Sequence, residues 1–255
     1  MGNIYAVTNQ KGGVGKTTTT VNLAASLAEN AKKILLIDLD PQGNATTGCG
    51  IDKPTLEKSS YDLLVGEASA KEVIVKRDDF SFDVIPTNAD LTAAEIELLD
   101  EEQREQRLRL ALEPIRADYD YILIDCPPSL SMLTLNALVA SKGVIIPIQC
   151  EYYALEGLSS LLKTVERIKQ RANSGLEITG LVRTMFDARN NLANQVSRQL
   201  INHFEKKVFH TIVPRNVRLA EAPSHGIPVV NYDRSSRGSI AYMALAGEFM
   251  RREKS

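Results

Sequence analysis

The segment Gln10-Lys11-Gly12-Gly13-Val14-Gly15-Lys16-Thr17-Thr18 constrains this chain more than any other. It follows an apolar run over residues 3–9 that reads as a strand. It opens a run over 17–29, rich in Ala and Leu, that reads as a helix. A glycine-rich turn in that context lets successive backbone N–H groups curl around a phosphate, with the positive end of the helix dipole behind them. In such a loop Lys16 reaches the β- and γ-phosphates and the Thr17 hydroxyl ligates Mg²⁺. Gly12, Gly13, Val14, Gly15 and Thr18 complete the cradle. ATP and Mg²⁺ are therefore the expected cofactors.

The rest of the chain repeats the same alternation. Strands are expected over 33–39, 82–86, 121–125, 143–149, 178–185, 208–213 and 228–232. Helices are expected over 155–171, 192–204 and 236–251, the first from apolar residues near helical spacing at Leu155, Leu158, Leu161, Leu162, Val165 and Ile168. The segment 52–90 is the least regular. Continuous apolar strands alternating with helices imply an α/β fold, a mostly parallel twisted sheet covered by helices on both faces. Residues 1–255 read as a single P-loop NTPase domain, with no repeat, no linker and no separate N-terminal DNA-binding domain.

Two further segments place carboxylates at strand ends. In 35–44, Asp38 and Asp40 are two apart, so the strand period points them to one side. Ligands of open α/β sheets sit at the carboxyl ends of strands, which aims both near the phosphates. There a carboxylate can orient a water or hold the Mg²⁺ shell. In 121–128 an apolar strand ends in Asp125, in the pattern of a carboxylate that holds Mg²⁺ directly or through water.

The loop departs from the ordinary G-x-x-x-x-G-K-[ST] form, with Gln10 at its first position and an additional lysine, Lys11. This K-G-G-x-G-K-T form resembles the deviant Walker A motif of ParA, Soj, MinD, the nitrogenase iron protein and arsenite-pump ATPases. The resemblance to the ParA/Soj group covers nearly the whole chain. It extends through Gln149–Leu158, 214–219, 221–226 and 236–238. It implies an ATPase of chromosome or plasmid partitioning, weak alone and stimulated by a ParB-type centromere-binding partner. It implies that Lys11 acts in trans, so that ATP joins two subunits in a sandwich dimer. It implies that Asp40 positions the attacking water, that Asp38 lies close to the metal, and that Pro214 and Asn216 belong to the adenine pocket. It also matches Arg189 and Arg218 to positions that bind DNA.

Charge is compatible with that expectation. Residues 1–128 hold 22 acidic and 13 basic side chains, and residues 129–255 hold 10 and 17. A basic half on a chain of net charge −2 is either an electrostatic footprint for nucleic acid or a half neutralised across the fold. Arg183, Arg189, Arg198, Arg215, Arg218, Arg234 and Arg237 are the candidate contacts, non-specific and double-stranded in target. Arg183 departs from the pattern the resemblance implies, a usually aliphatic position, and either joins that face or pairs with an acid. Cys49, Cys126 and Cys150 form no C-x-x-C pair and read as plain buried thiols. No apolar run approaches the roughly 20 residues of a membrane helix, and no leader pattern opens the chain. A cytoplasmic, nucleoid-associated location without a membrane partner is expected. The competing readings are a membrane-surface regulator of the MinD kind and a P-loop metabolic ligase.

Overall fold

The computed structural model describes residues 2–254. Seven strands, β1 Asn3–Val7, β2 Ile34–Asp38, β3 Asp83–Ile85, β4 Tyr121–Asp125, β5 Gly143–Gln149, β6 Glu177–Phe186 and β7 Val208–Pro214, form one parallel sheet in the order β3-β2-β4-β1-β5-β6-β7. The chain runs outward from β1 to β3, returns to insert β4, then runs outward the other way through β5 to β7. The reversal lies at β1, and the crevice above its carboxyl end is where an open sheet binds ligands.

The helices are α1 Lys16–Glu29, α2 Asn44–Gly48, α3 Ser60–Val65, α4 Ala70–Val73, α5 Leu91–Glu97, α6 Arg107–Leu112, α7 Met132–Ala140, α8 Ala154–Arg171, α9 Asn191–Phe204, α10 Val217–Glu221, α11 Val229–Tyr232 and α12 Arg237–Arg252. Strand alternation divides the core. Ile4, Ala6, Leu35 and Ile37 face the layer of α3 and α5–α9, whereas Tyr5, Val7, Ile34 and Leu36 face α1 and α12. Both faces of β2 are fully buried, which is why its sequence shows an apolar run without polar alternation. On α8, Ala154, Leu158, Leu161, Val165 and Ile168 form the buried stripe, and truncating one such leucine costs about 2–5 kcal/mol.

The expected strand at 228–232 is instead the short helix α11. Pro228 removes an N–H that a ladder would need, and it satisfies the start of a turn: Asn231 and Tyr232 N–H groups both donate to its carbonyl at 3.0 Å. Arg183 also departs from expectation. It is 5% exposed on β6, donating to Ser197 Oγ at 2.9 Å and to the carbonyls of Phe209 and His210 at 2.8 and 3.0 Å. Buried, it is not available to a surface contact, and among the described residues it forms no ion pair; it ties α9 and β7 to β6. The three cysteines are buried and free.

Candidate functional site

The loop after β1 curls because Gly13 and Gly15 adopt the left-handed region, at φ 72° and 85°. Gly15 is the residue that precedes α1, so the first N–H groups of a 14-residue helix open onto the loop. Val14 does not face the ligand side. It is buried, and its carbonyl accepts from Thr184 Oγ1 at 2.7 Å, fastening the loop to β6. Asn9, also buried, donates to Pro147 O at 2.8 Å and accepts from the Lys11 N–H at 3.0 Å, bracing the loop's other end on β5.

Above the loop lies a cavity of about 840 Å³ lined by Gly12, Gly13, Gly15, Lys16, Thr17, Thr18 and Asp40 on one side. Met185, Val213, Pro214, Asn216, Val217 and Leu219 line the other. One end is thus backbone amide and charge, and the other is largely apolar, a division that suits a phosphate chain joined to a planar base. Several residues of the apolar end were not named as site residues by sequence reasoning, Met185 among them. Its φ of 47° is rare for a side chain with a Cβ, and no local sequence signal announces it.

Lys16 is buried and turns its Nζ to the Lys11 carbonyl at 3.1 Å. Burial lowers its pKa, opposed by the charges of Asp125 and Asp40. Lys11 lies outside the cavity, half-exposed, with Nζ 2.6 Å from Glu151 Oε2 at the start of the β5–α8 connection.

The three aspartates have different surroundings. Asp40 lines the cavity and accepts from the Gln42 N–H at 3.0 Å. Asp38 and Asp125 are register partners on β2 and β4 and are fully buried. Both oxygens of Asp38 are engaged by its own chain. Oδ1 accepts from the Asp40 N–H at 3.1 Å, and Oδ2 from the Thr46 N–H and Oγ1, each at 2.8 Å. The side that the strand period gives Asp38 therefore meets α2, whereas Asp40, already past the strand, reaches the cavity. Asp125 Oδ1 lies 3.0 Å from Thr20 Oγ1, and its Oδ2 is buried with no hydrogen-bond partner. Burial, and then the neighbouring Asp38 charge, hold Asp125 well above the usual carboxylate range, while the nearby hydroxyls of Thr17 and Thr20 pull it back. An orphaned carboxylate oxygen beside the Thr17 hydroxyl suits a hard cation or its bound water.

Arg189 and Arg218 both follow strands of the sheet's β6–β7 edge. Arg189 lies in the connection after β6 and Arg218 in the short helix α10 after β7, each beyond the carboxyl end of its strand. Arg189 is exposed and pairs with Asp187 at 2.8 Å. Arg218 pairs with Glu221 at 2.8 Å and Asp233 at 3.3 Å. Asn216 caps α10 by accepting from the Arg218 N–H at 3.1 Å, while α10 presents Val217 and Leu219 to the cavity. Among the described residues no helix is long and apolar enough to cross a membrane.

A family described as an AAA domain matches residues 2–178. The sporulation initiation inhibitor protein Soj of Bacillus subtilis is 55% identical over 248 residues, which cover 97% of this chain and 98% of Soj. The chromosome partitioning protein ParA of Caulobacter vibrioides is 51% identical over 253 residues, covering 98% of this chain and 95% of that protein. Among solved structures, a cobyrinic acid a,c-diamide synthase of Mycobacterium smegmatis with bound ADP and magnesium superposes with a TM-score of 0.88. It is 36% identical and covers 100% of this chain and 96% of its own. Over the length of Soj, with the phosphate loop and its aspartates in place, the chain belongs to the ParA/Soj family of partitioning ATPases.

Proposed function

We propose that this chain is an ATP-dependent switch for DNA segregation. ATP occupies the 840 Å³ cavity, its phosphates on the loop N–H groups and Lys16, its base among Met185, Pro214 and Asn216. Thr17 and Asp125, directly or through water, would hold Mg²⁺, with Asp38 nearby, and the ion would supply charge neutralisation at the phosphates. Asp40 orients the attacking water from the cavity wall. ATP binding drives a sandwich dimer in which Lys11 reaches the partner's nucleotide. The dimer binds double-stranded DNA non-specifically through Arg189 and Arg218, and a ParB-type protein stimulates the slow hydrolysis that releases it.

The observation that carries the reading is the division between the two lysines. Lys16 is buried against the loop, whereas Lys11 stays half-exposed outside its own cavity on Glu151, available to a second copy. The likeness to the diamide synthase favours a second reading, an ATP-dependent metabolic enzyme. Two measurements separate them. Light scattering with and without ATP reports dimerisation, and phosphate release with ATP as the only small molecule reports turnover. ATP-dependent dimers that retard unrelated duplexes support the switch. Turnover that requires an added acceptor, with no dimer, overturns it.

A further inference from the structure

A dense run of like charge lies on α5 and the turn after it. Between positions 95 and 105 the chain carries six carboxylates and one arginine. Glu97 accepts from Tyr61 Oη, and Glu101 lies 3.7 Å from Arg107. Glu95, Asp100, Glu102 and Glu105 have no cation partner among the described residues. Arg104, the cation within the run, turns back to donate to the Leu99 carbonyl.

Within this acidic field solvent reaches two aliphatic side chains. Ile96 is 71% exposed and Leu99 is 52% exposed. They are three residues apart on helical backbone that continues from α5 into a 3₁₀ turn, so they share a face. The opposite face, Leu91, Ala94 and Leu98, is fully buried against the core. None of these residues lines the cavity above the phosphate loop.

An exposed aliphatic pair and a rim of unpaired carboxylates together define one kind of occupant. It must cover the pair with apolar surface and surround it with cations. We propose that this face of α5 docks a cationic amphipathic segment of a partner protein. Aliphatic side chains at helical spacing cover Ile96 and Leu99, and flanking Lys or Arg meet Glu95, Asp100 and Glu102. The same carboxylates repel a bilayer of anionic lipids and a nucleic-acid backbone, which leaves a protein segment as the occupant.

The test uses the full chain and a fluorescent peptide of about five helical turns, with leucine at every third or fourth position and lysine elsewhere. A scrambled peptide of the same composition is the control. By anisotropy the periodic peptide binds at least about tenfold more tightly than the scrambled one, the factor that burial of one aliphatic side chain supplies. Ile96→Ser with Leu99→Ser removes that preference. Glu95→Gln with Glu102→Gln weakens both peptides and flattens the salt dependence. Circular dichroism of each variant matches the parent, because the altered side chains lie at the surface. Equal binding of the two peptides, or parental binding by either double variant, overturns the proposal.

Discussion

Lys11 Nζ and Glu151 Oε2 meet at 2.6 Å across 140 positions of sequence, while Lys16, five residues after Lys11, turns the other way into the loop. The pair is about half exposed and contributes little to stability, so its importance is one of placement. Lys16→Ala removes a buried charge-assisted contact worth about 1.5–3 kcal/mol and weakens ATP binding by roughly ten- to a hundredfold. Lys11→Ala leaves nucleotide affinity near the parent's and loses ATP-dependent dimerisation. Calorimetry and light scattering on both variants check this, and parental dimerisation by Lys11→Ala excludes the trans role.

Asp40 is expected to act on water and not on nucleotide binding. Asp40→Ala binds ATP, hydrolyses it on the order of 10²- to 10⁴-fold more slowly, and accumulates as the dimer. Phosphate release and size-exclusion chromatography with ATP report both effects. Hydrolysis at the parental rate removes Asp40 from the mechanism.

Asp125 gives a pH signature. Its native pKa is raised by burial and by Asp38, so the folded chain holds a proton that the unfolded chain has released. Stability therefore falls as pH rises from the ordinary carboxylate value, about 3.9, through the raised native value. Asp125→Asn keeps the acceptor for Thr20 and removes Asp125's share of that slope, while the share of Asp38, itself raised by burial, remains. Without nucleotide the variant is more stable than the parent at neutral pH, by about 1–3 kcal/mol, and with ATP and Mg²⁺ it loses hydrolysis. Urea unfolding at several pH values measures the first effect.

Glu248 has the opposite sign. Its oxygens accept from the His210 N–H at 2.8 Å and from the Thr211 N–H and Oγ1 at 2.8 and 2.7 Å, and Arg252 lies at 2.7 Å. Burial raises its pKa. The hydrogen bonds from Thr211 and His210, with the charge of Arg252, outweigh burial, and the net shift is downward. Its contribution is present above the ordinary glutamate value, about 4.3, and is lost as pH falls through the lowered native value. Glu248→Gln costs about 1–3 kcal/mol at neutral pH, and the gap to the parent closes in acid. A constant gap across that range contradicts the charge argument.

The DNA face is tested through salt. A dimer neutralising about six phosphates loses on the order of a thousandfold in affinity between roughly 50 and 200 mM salt. Arg189→Glu with Arg218→Glu abolishes retardation of unrelated duplexes and leaves ATP-dependent dimers on a sizing column. Undiminished retardation excludes these two residues from the DNA contact.

The amino-acid sequence by itself determined the class of fold, the phosphate loop and the strand that ends in Asp125. These depend on short-range physics: glycines where the backbone must take positive φ, continuous apolar runs where a strand is buried on both faces, and a lysine and a threonine at fixed offsets. Only the tertiary structure decided which carboxylate faces the cavity and which faces α2, because the loop after β2 turns between Asp38 and Asp40 and hands Asp38 to Thr46. It buried Arg183, since the β6 side chain meets free carbonyls on β7 that no local pattern encodes. It also brought Met185 to the apolar end of the cavity and Glu151 to Lys11. Each of these depends on which strands become neighbours, and strand order is fixed by packing over the whole chain, not by the residues that meet.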